Sequence, residues 1–147
     1  MDAIKIFIIV WLFIPTILFG QKVLYPKDTI YVKFENKVGK KEWNAKFERI
    51  YNGKKGVYFN IEKIKGDMAL FYDLNYKADT LCIKYLKDYK LLNLEEINKK
   101  RYKWIFDNKR PPANRNGVFQ TYLIELISED KFVIYPVIWR NEGVTGF

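Results

Sequence analysis

Residues 98–106 interleave cations with aromatic rings in the run Asn-Lys-Lys-Arg-Tyr-Lys-Trp-Ile-Phe. Lysine and arginine bind phosphates, and aromatic rings stack on bases or sugars. The run therefore indicates a surface for an anionic polymer. A solvated helix face is the alternative, because Trp104 and Ile105 are needed on the buried side of a helix and Glu95 and Glu96 can pair with lysines four residues further on.

Two irregular basic segments accompany this run. Residues 52–56 form a short basic loop, and residues 109–117 add three further cations after the helix. Binding residues are often found on loops that a rigid scaffold holds in place. The candidate binding residues are therefore Lys54, Lys55, Lys99, Lys103, Lys109, Arg110 and Arg115. Whether the two loops meet in one basic rim is left open by the sequence.

Several common catalytic side chains are missing from the chain. It contains no histidine, which removes the most frequent general base, the Ser-His and Cys-His pairs and the usual zinc ligand. Ser128 is the only serine and lies in a predicted turn. No phosphate-binding loop, dinucleotide-binding loop or EF-hand spacing occurs. We predict a non-enzymatic protein with no cofactor and no metal site.

Glu125 is the one acid within a predicted apolar strand. Desolvation there can raise the pKa of its carboxyl and make it a general acid. The alternative is that it lies near the sheet end, either solvated or paired with a lysine. A glycosidase needs a second acid across a cleft, and no spacing identifies one. A hydrolase that relies on carboxylates alone is thus the remaining enzymatic hypothesis.

The first twenty residues resemble a secretory signal peptide. Residues 6–19 carry no charge and follow a short basic start. Cleavage after residue 20 would leave 21–147 as a single exported domain, secreted or periplasmic. An uncleaved membrane anchor over residues 4–20 is the alternative, although that stretch is at the lower length limit for a span and Pro15 interrupts it.

The formal net charge is +9, from 26 basic and 17 acidic residues, and removal of residues 1–20 leaves it unchanged. Such a charge favours an anionic partner, namely lipid phosphate, an acidic glycan or an acidic protein. Export disfavours nucleic acid, and membrane contact would come only from an uncleaved N-terminus or from surface charge. An inhibitor or immunity-type module that covers a partner's acidic site is the alternative function. The oligomeric state is not predicted.

Cys82 is the only cysteine, so no disulfide can form within the chain. Its place in an apolar run predicts a small buried side chain, since free cysteine is among the most buried residue types. An intermolecular disulfide and a nucleophile are the functional alternatives.

One helix is predicted over residues 94–107. Asn93 precedes it, and Glu96 stands three residues later, which is the spacing of a capping box. Asn108 can end the helix, and the two prolines at 111–112 prevent it from resuming.

The remaining elements are predicted strands. Residues 28–34 alternate apolar and polar side chains, residues 42–62 read as a hairpin, and 118–127 with 132–140 read as a C-terminal hairpin that is apolar on both faces. Pro136 predicts that the last strand has one side unpaired or is broken there. We therefore predict an α+β domain with an antiparallel sheet of about six or seven short strands; a small β-barrel with an attached helix is the alternative.

Overall fold

The computed structural model describes residues 26–35, 46–61, 69–110 and 113–140. The predicted signal peptide, residues 1–20, and the start of the predicted hairpin at residues 42–45 lie outside these ranges.

The described residues form strands, two α-helices and a 3-10 helix. In chain order they are β1 (Asp28–Phe34), β2 (Lys46–Tyr51), β3 (Lys54–Asn60), β4 (Ala69–Asp73), β5 (Asp79–Cys82), the 3-10 helix (Ile83–Asp88), β6 (Leu91–Leu92), α1 (Leu94–Asp107), α2 (Arg115–Val118), β7 (Phe119–Leu126) and β8 (Lys131–Arg140). The protein is thus α+β, as the sequence predicts.

Helix α1 begins and ends where the sequence predicts. The Asn93 side chain accepts a hydrogen bond from the Glu96 backbone N–H, and the Glu96 carboxylate accepts one from the Asn93 backbone N–H, both at 2.9 Å. These two bonds satisfy backbone donors that a helix start otherwise leaves unpaired. Ile97, one turn into the helix, is buried in the core.

The sheet is mixed, so the prediction of a purely antiparallel sheet with six or seven strands is wrong. Eight described strands pair in the order β2-β3-β4-β8-β7-β1-β6, and β5 also pairs with β8. Strand β1 lies parallel to both β6 and β7. This arrangement is possible because α1 and α2 connect β6 to β7 and let the chain return in the same direction.

The sheet curves strongly around an aromatic core. Three strands separate β1 from β3, which would place them about 19 Å apart in a flat sheet. Yet the rings of Phe34 on β1 and Phe59 on β3 meet with their centroids 5.1 Å apart. Ile97 of α1 belongs to the same core cluster, with Trp104 packed against it. The curved sheet and α1 therefore enclose one core between them.

The C-terminal hairpin forms, but its register differs by one residue from the predicted one. Leu126 pairs with Phe132 instead of Val133. The backbone N–H groups of Ile127 and Ser128 both donate to the Lys131 carbonyl, at 3.1 and 3.3 Å, so the turn holds one residue more than a two-residue tip. As a result Glu125 faces Val133, on the face that carries the core.

The surroundings of Pro136 confirm the prediction that the last strand has one side unpaired at this residue. Pro136 lies opposite Tyr122 of β7. On the other side of β8, the partners in β5 reach only to Ile134 and those in β4 begin at Ile138. The proline thus falls in a gap between two neighbouring strands, where its missing N–H breaks no ladder.

Cys82 is exposed, so the prediction of a buried side chain is wrong. It ends β5, which pairs with β8 and leaves three of its four residues exposed, Leu81 being the exception. The apolar composition of the run did not reveal that the strand lies at an edge.

Gly56 gives a test of how closely β3 and β4 pack. A Cβ added at Gly56 would lie inside van der Waals contact of the Phe71 ring and the Tyr72 carbonyl oxygen. We expect Gly56→Ala to lower the free energy of unfolding by about 1–3 kcal/mol, measured by urea titration. Gly117→Ala is the matched control, since the nearest atom to its Cβ would be Asn114 Oδ1 at 3.5 Å. Equal stabilities of the two variants would contradict this packing.

Candidate functional site

The outer side of α1 presents cations and rings together. Lys99 and Lys103 have side chains 74% exposed, and Tyr102 and Phe106 are 65% and 81% exposed. Lys99 precedes Tyr102 by three residues and Lys103 by four, and Phe106 follows Tyr102 by four and Lys103 by three, which brings all of them to one side of a helix. Ile97, buried on the opposite side, fixes this orientation. We call Lys99, Tyr102, Lys103 and Phe106 the helix face.

Both lysines of the helix face have acidic neighbours. Lys99 Nζ lies 2.7 Å from a Glu95 carboxylate oxygen, and Lys103 pairs with Asp107. The hydrogen bond and charge of Glu95 raise the pKa of Lys99, so its ammonium stays charged at neutral pH. Exposed pairs of this kind contribute only about 0–1 kcal/mol, and water or another anion can replace either acid at low cost. The lysines are therefore accessible to an anionic partner.

Two more predicted binding residues follow α1 directly. Lys109 is exposed and has a positive φ of 49°. Arg110 is half-buried, and its backbone N–H donates to the Ile105 carbonyl at 3.0 Å, which ends the helix. The structure thus gathers four of the predicted cations on α1 and the turn after it.

Lys54 and Lys55 lie elsewhere, on β3 beside the β2–β3 turn. Lys54 Nζ is 3.2 Å from Asp73 Oδ2, and Lys55 Nζ is 3.7 Å from Glu48 Oε2. Asp73 belongs to β4 and Glu48 to β2, so these ion pairs of the two lysines involve neither α1 nor the turn after it.

Arg115 lies on α2 and not on an irregular loop. It is 7% exposed, and its guanidinium donates to Asn98 Oδ1 at 2.9 Å and lies 4.8 Å from the Trp139 ring centroid. These contacts connect α1, α2 and β8. Its side chain therefore contributes to packing inside the domain.

Glu125 is buried and bonded to two residues that sequence reasoning missed. Its Oε2 accepts from Lys46 Nζ at 2.8 Å and from the Tyr135 hydroxyl at 2.9 Å. The alternative that a lysine pairs with Glu125 is thus confirmed. Only the observed hairpin register places Tyr135 on the same face of the sheet as Glu125, so the sequence could not identify it as a partner. Lys46 lies 79 residues away in sequence, and no local pattern connects it with Glu125.

Glu125, Lys46 and Tyr135 form a hydrogen-bonded ion pair at the edge of the core. Burial, followed by the charge of Glu125, raises the pKa of the Tyr135 hydroxyl, which therefore remains a donor. Lys46 Nζ also lies 5.5 Å from the Phe59 ring centroid. Within the described ranges no group of three or more His, Cys, Asp or Glu residues could hold a metal ion.

Comparison with protein-family models, with curated proteins and with solved structures finds no match. Among the described residues no helix is long and apolar enough to cross a membrane.

The raised pKa of Tyr135 predicts a loss of stability in alkali. An unfolded tyrosine releases its proton near pH 10.0, whereas folded Tyr135 keeps it to higher pH. The contribution of Tyr135 to the unfolding free energy should therefore be constant below that pH and fall as the pH rises above it. We expect Tyr135→Phe to reduce this slope in urea titrations, without abolishing it, because Tyr31 and Tyr58 are shifted in the same direction. Tyr102→Phe controls for loss of a hydroxyl. An identical slope in wild type and Tyr135→Phe would exclude this role.

Proposed function

We propose that the protein is a non-enzymatic binding domain whose basic, aromatic surface contacts an anionic partner, and that the helix face docks on a phosphate-bearing lipid surface. The observation that carries the proposal is the exposure of Phe106, at 81%, beside the two lysines of the helix face. Large exposed apolar side chains flanked by cations are typical of interfacial helices.

The chemistry of Phe106 favours lipid over the other anionic partners. Its ring has no polar atom and projects from the convex surface of a helix, where it can enter an apolar phase. Transfer of such a side chain from water to an apolar phase contributes about 1.5–3 kcal/mol. Tyr102 adds an amphipathic ring that suits the boundary between headgroups and acyl chains.

The cations of the helix face supply the anionic specificity. A lysine close to an anionic membrane contributes about 1 kcal/mol. The net charge of +9 attracts the whole domain to such a surface and should make the affinity fall with added salt.

Export remains part of the proposal, supported by residues 6–19 of the sequence. A cleaved signal peptide would leave the helix face as the membrane contact. An uncleaved segment would instead hold the same basic domain beside a bilayer, where the helix face would add a second contact.

Sedimentation with vesicles tests the proposal. We expect the protein to bind phosphatidylcholine vesicles that contain phosphatidylglycerol, and to release as salt is raised. Lys99→Gln combined with Lys103→Gln should weaken the binding about thirtyfold, from about 1 kcal/mol per lysine. Phe106→Ser should weaken it at every salt concentration, because its contribution is apolar.

The matched control is Lys84→Gln combined with Lys87→Gln, two exposed lysines on the 3-10 helix. All proteins carry the same N-terminus, so any contribution of residues 1–20 cancels. Binding that does not change with salt, or equal binding by both double variants, would contradict the proposal. Capture of one acidic protein in fixed proportion, without vesicle binding, would instead support the inhibitor or immunity-type function.

A further inference from the structure

A cleft of about 580 Å³ lies on the face of the sheet opposite α1. Side chains alternate between the two faces of a strand. Leu123 of β7 belongs to the core that α1 covers, so Gln120 and Tyr122, which line the cleft, lie on the other face. The volume falls within the range of small-molecule sites, about 300–1,000 Å³.

The cleft forms where β8 lacks a neighbour. Pro136 and Ile138 contribute to its floor. Pro136 lies between Ile134, the last residue of β8 that pairs with β5, and Ile138, the first that pairs with β4. The chain crosses this gap through the turn that carries Tyr76, whose carbonyl accepts from the Tyr72 hydroxyl at 2.5 Å. The opening is thus determined by the backbone and does not depend on one side-chain rotamer.

Aromatic walls of the cleft are held in place by other residues. The Arg140 guanidinium lies 4.2 Å from the Tyr51 ring centroid, and the Phe71 ring meets Tyr51 edge-on at 5.4 Å. Tyr122 is stacked on Tyr31 with centroids 5.6 Å apart. These contacts pre-organise two ring surfaces, so a ligand need not order them on binding.

Polar groups at the cleft carry no net charge. Lys54 is paired with Asp73 at 3.2 Å, and a backbone hydrogen bond from Asn75, together with Lys54, lowers the pKa of Asp73. The amides of Asn52 and Gln120 complete the polar lining. Donors and acceptors are therefore both present. Lys54, the only cation among the described residues that line the cleft, is already balanced, and Arg140 is not part of the lining.

We propose that this cleft binds a neutral oligosaccharide. The C–H groups of a sugar ring fit the electron-rich faces of tyrosines, and its hydroxyls can both donate to and accept from the amides and the Lys54–Asp73 pair. A nucleotide phosphate would have to displace Asp73 from Lys54, and Asp73 is buried with its side chain 8% exposed, unlike the exposed acids that pair with the lysines of the helix face. The proposal is independent of the lipid-binding function, because it concerns the opposite face of the sheet.

Amide NMR titrations test this inference. The probes are cellotetraose, maltotetraose, mannotetraose and tetra-N-acetylchitotetraose at millimolar concentration. At least one should shift the resonances of cleft residues, with an affinity that does not change with salt. Tyr76→Ala removes a ring that is 59% exposed and should weaken that binding about tenfold. Gln120→Ala should weaken it about fivefold.

Phe106→Ser serves as the matched control, since it removes an exposed ring from the other face and should leave sugar affinity unchanged. The inference is overturned if none of the four sugars shifts cleft resonances, if Tyr76→Ala binds as wild type does, or if adenosine and uridine shift them while the sugars do not. Vesicle sedimentation on the same samples reports separately on the helix face, so failure of either proposal can be distinguished.

Discussion

The fold depends on the ten residues of β8, which pair by hydrogen bonds with three other strands. Strand β7 pairs along one side, while β5 and then β4 pair along the other. A residue without an N–H can stand inside such a strand only where one neighbour is absent. Pro136 meets this condition at the junction of β5 and β4, so the same junction that accommodates the proline opens the sheet surface.

The second constraint is the curvature of the sheet. The rings of Phe34 and Phe59 are in contact although three strands lie between β1 and β3 in the sheet. The Tyr135 ring contacts those of Phe59 and Tyr72, with centroid distances of 5.1 and 4.9 Å. Large rings bridge distances that aliphatic side chains could not span, which explains why a chain with 18% aromatic residues suits this shape. The same curvature brings Lys46 to Glu125, two residues far apart in the flat order of strands.

Local signals in the sequence were sufficient for the elements that local interactions determine. The capping residues Asn93 and Glu96 predict the start of α1, and Asn52-Gly53 predicts the β2–β3 turn, where both residues have positive φ. Pairing between distant segments could not be predicted in this way. Strand β1 joins β6 and β7, which lie more than fifty residues later, and no local pattern encodes a parallel partner. The hairpin register was missed because both faces of β7 and β8 are apolar, so neither face identified the core.

The candidate site shows the same division. The sequence identified the basic residues but could not predict which of their side chains are exposed. Arg115 is buried beside Trp139, whereas Lys99 and Lys103 are exposed on α1. The exposed ring of Phe106 follows from its position four residues after Tyr102 on the outer side of α1. The cleft could not be predicted without the strand order, because its lining comes from β2, β3, β4, β7, β8 and two turns.

The placement of α1 on one face of the sheet determines whether the two proposed sites can be occupied at the same time. The helix face and the cleft look in opposite directions and share no residue. Two ligands bound there would not compete, and each would leave the access route of the other open. If both sites bind as proposed, one ligand would lie against α1 while the cleft, on the far side of the sheet, receives the other.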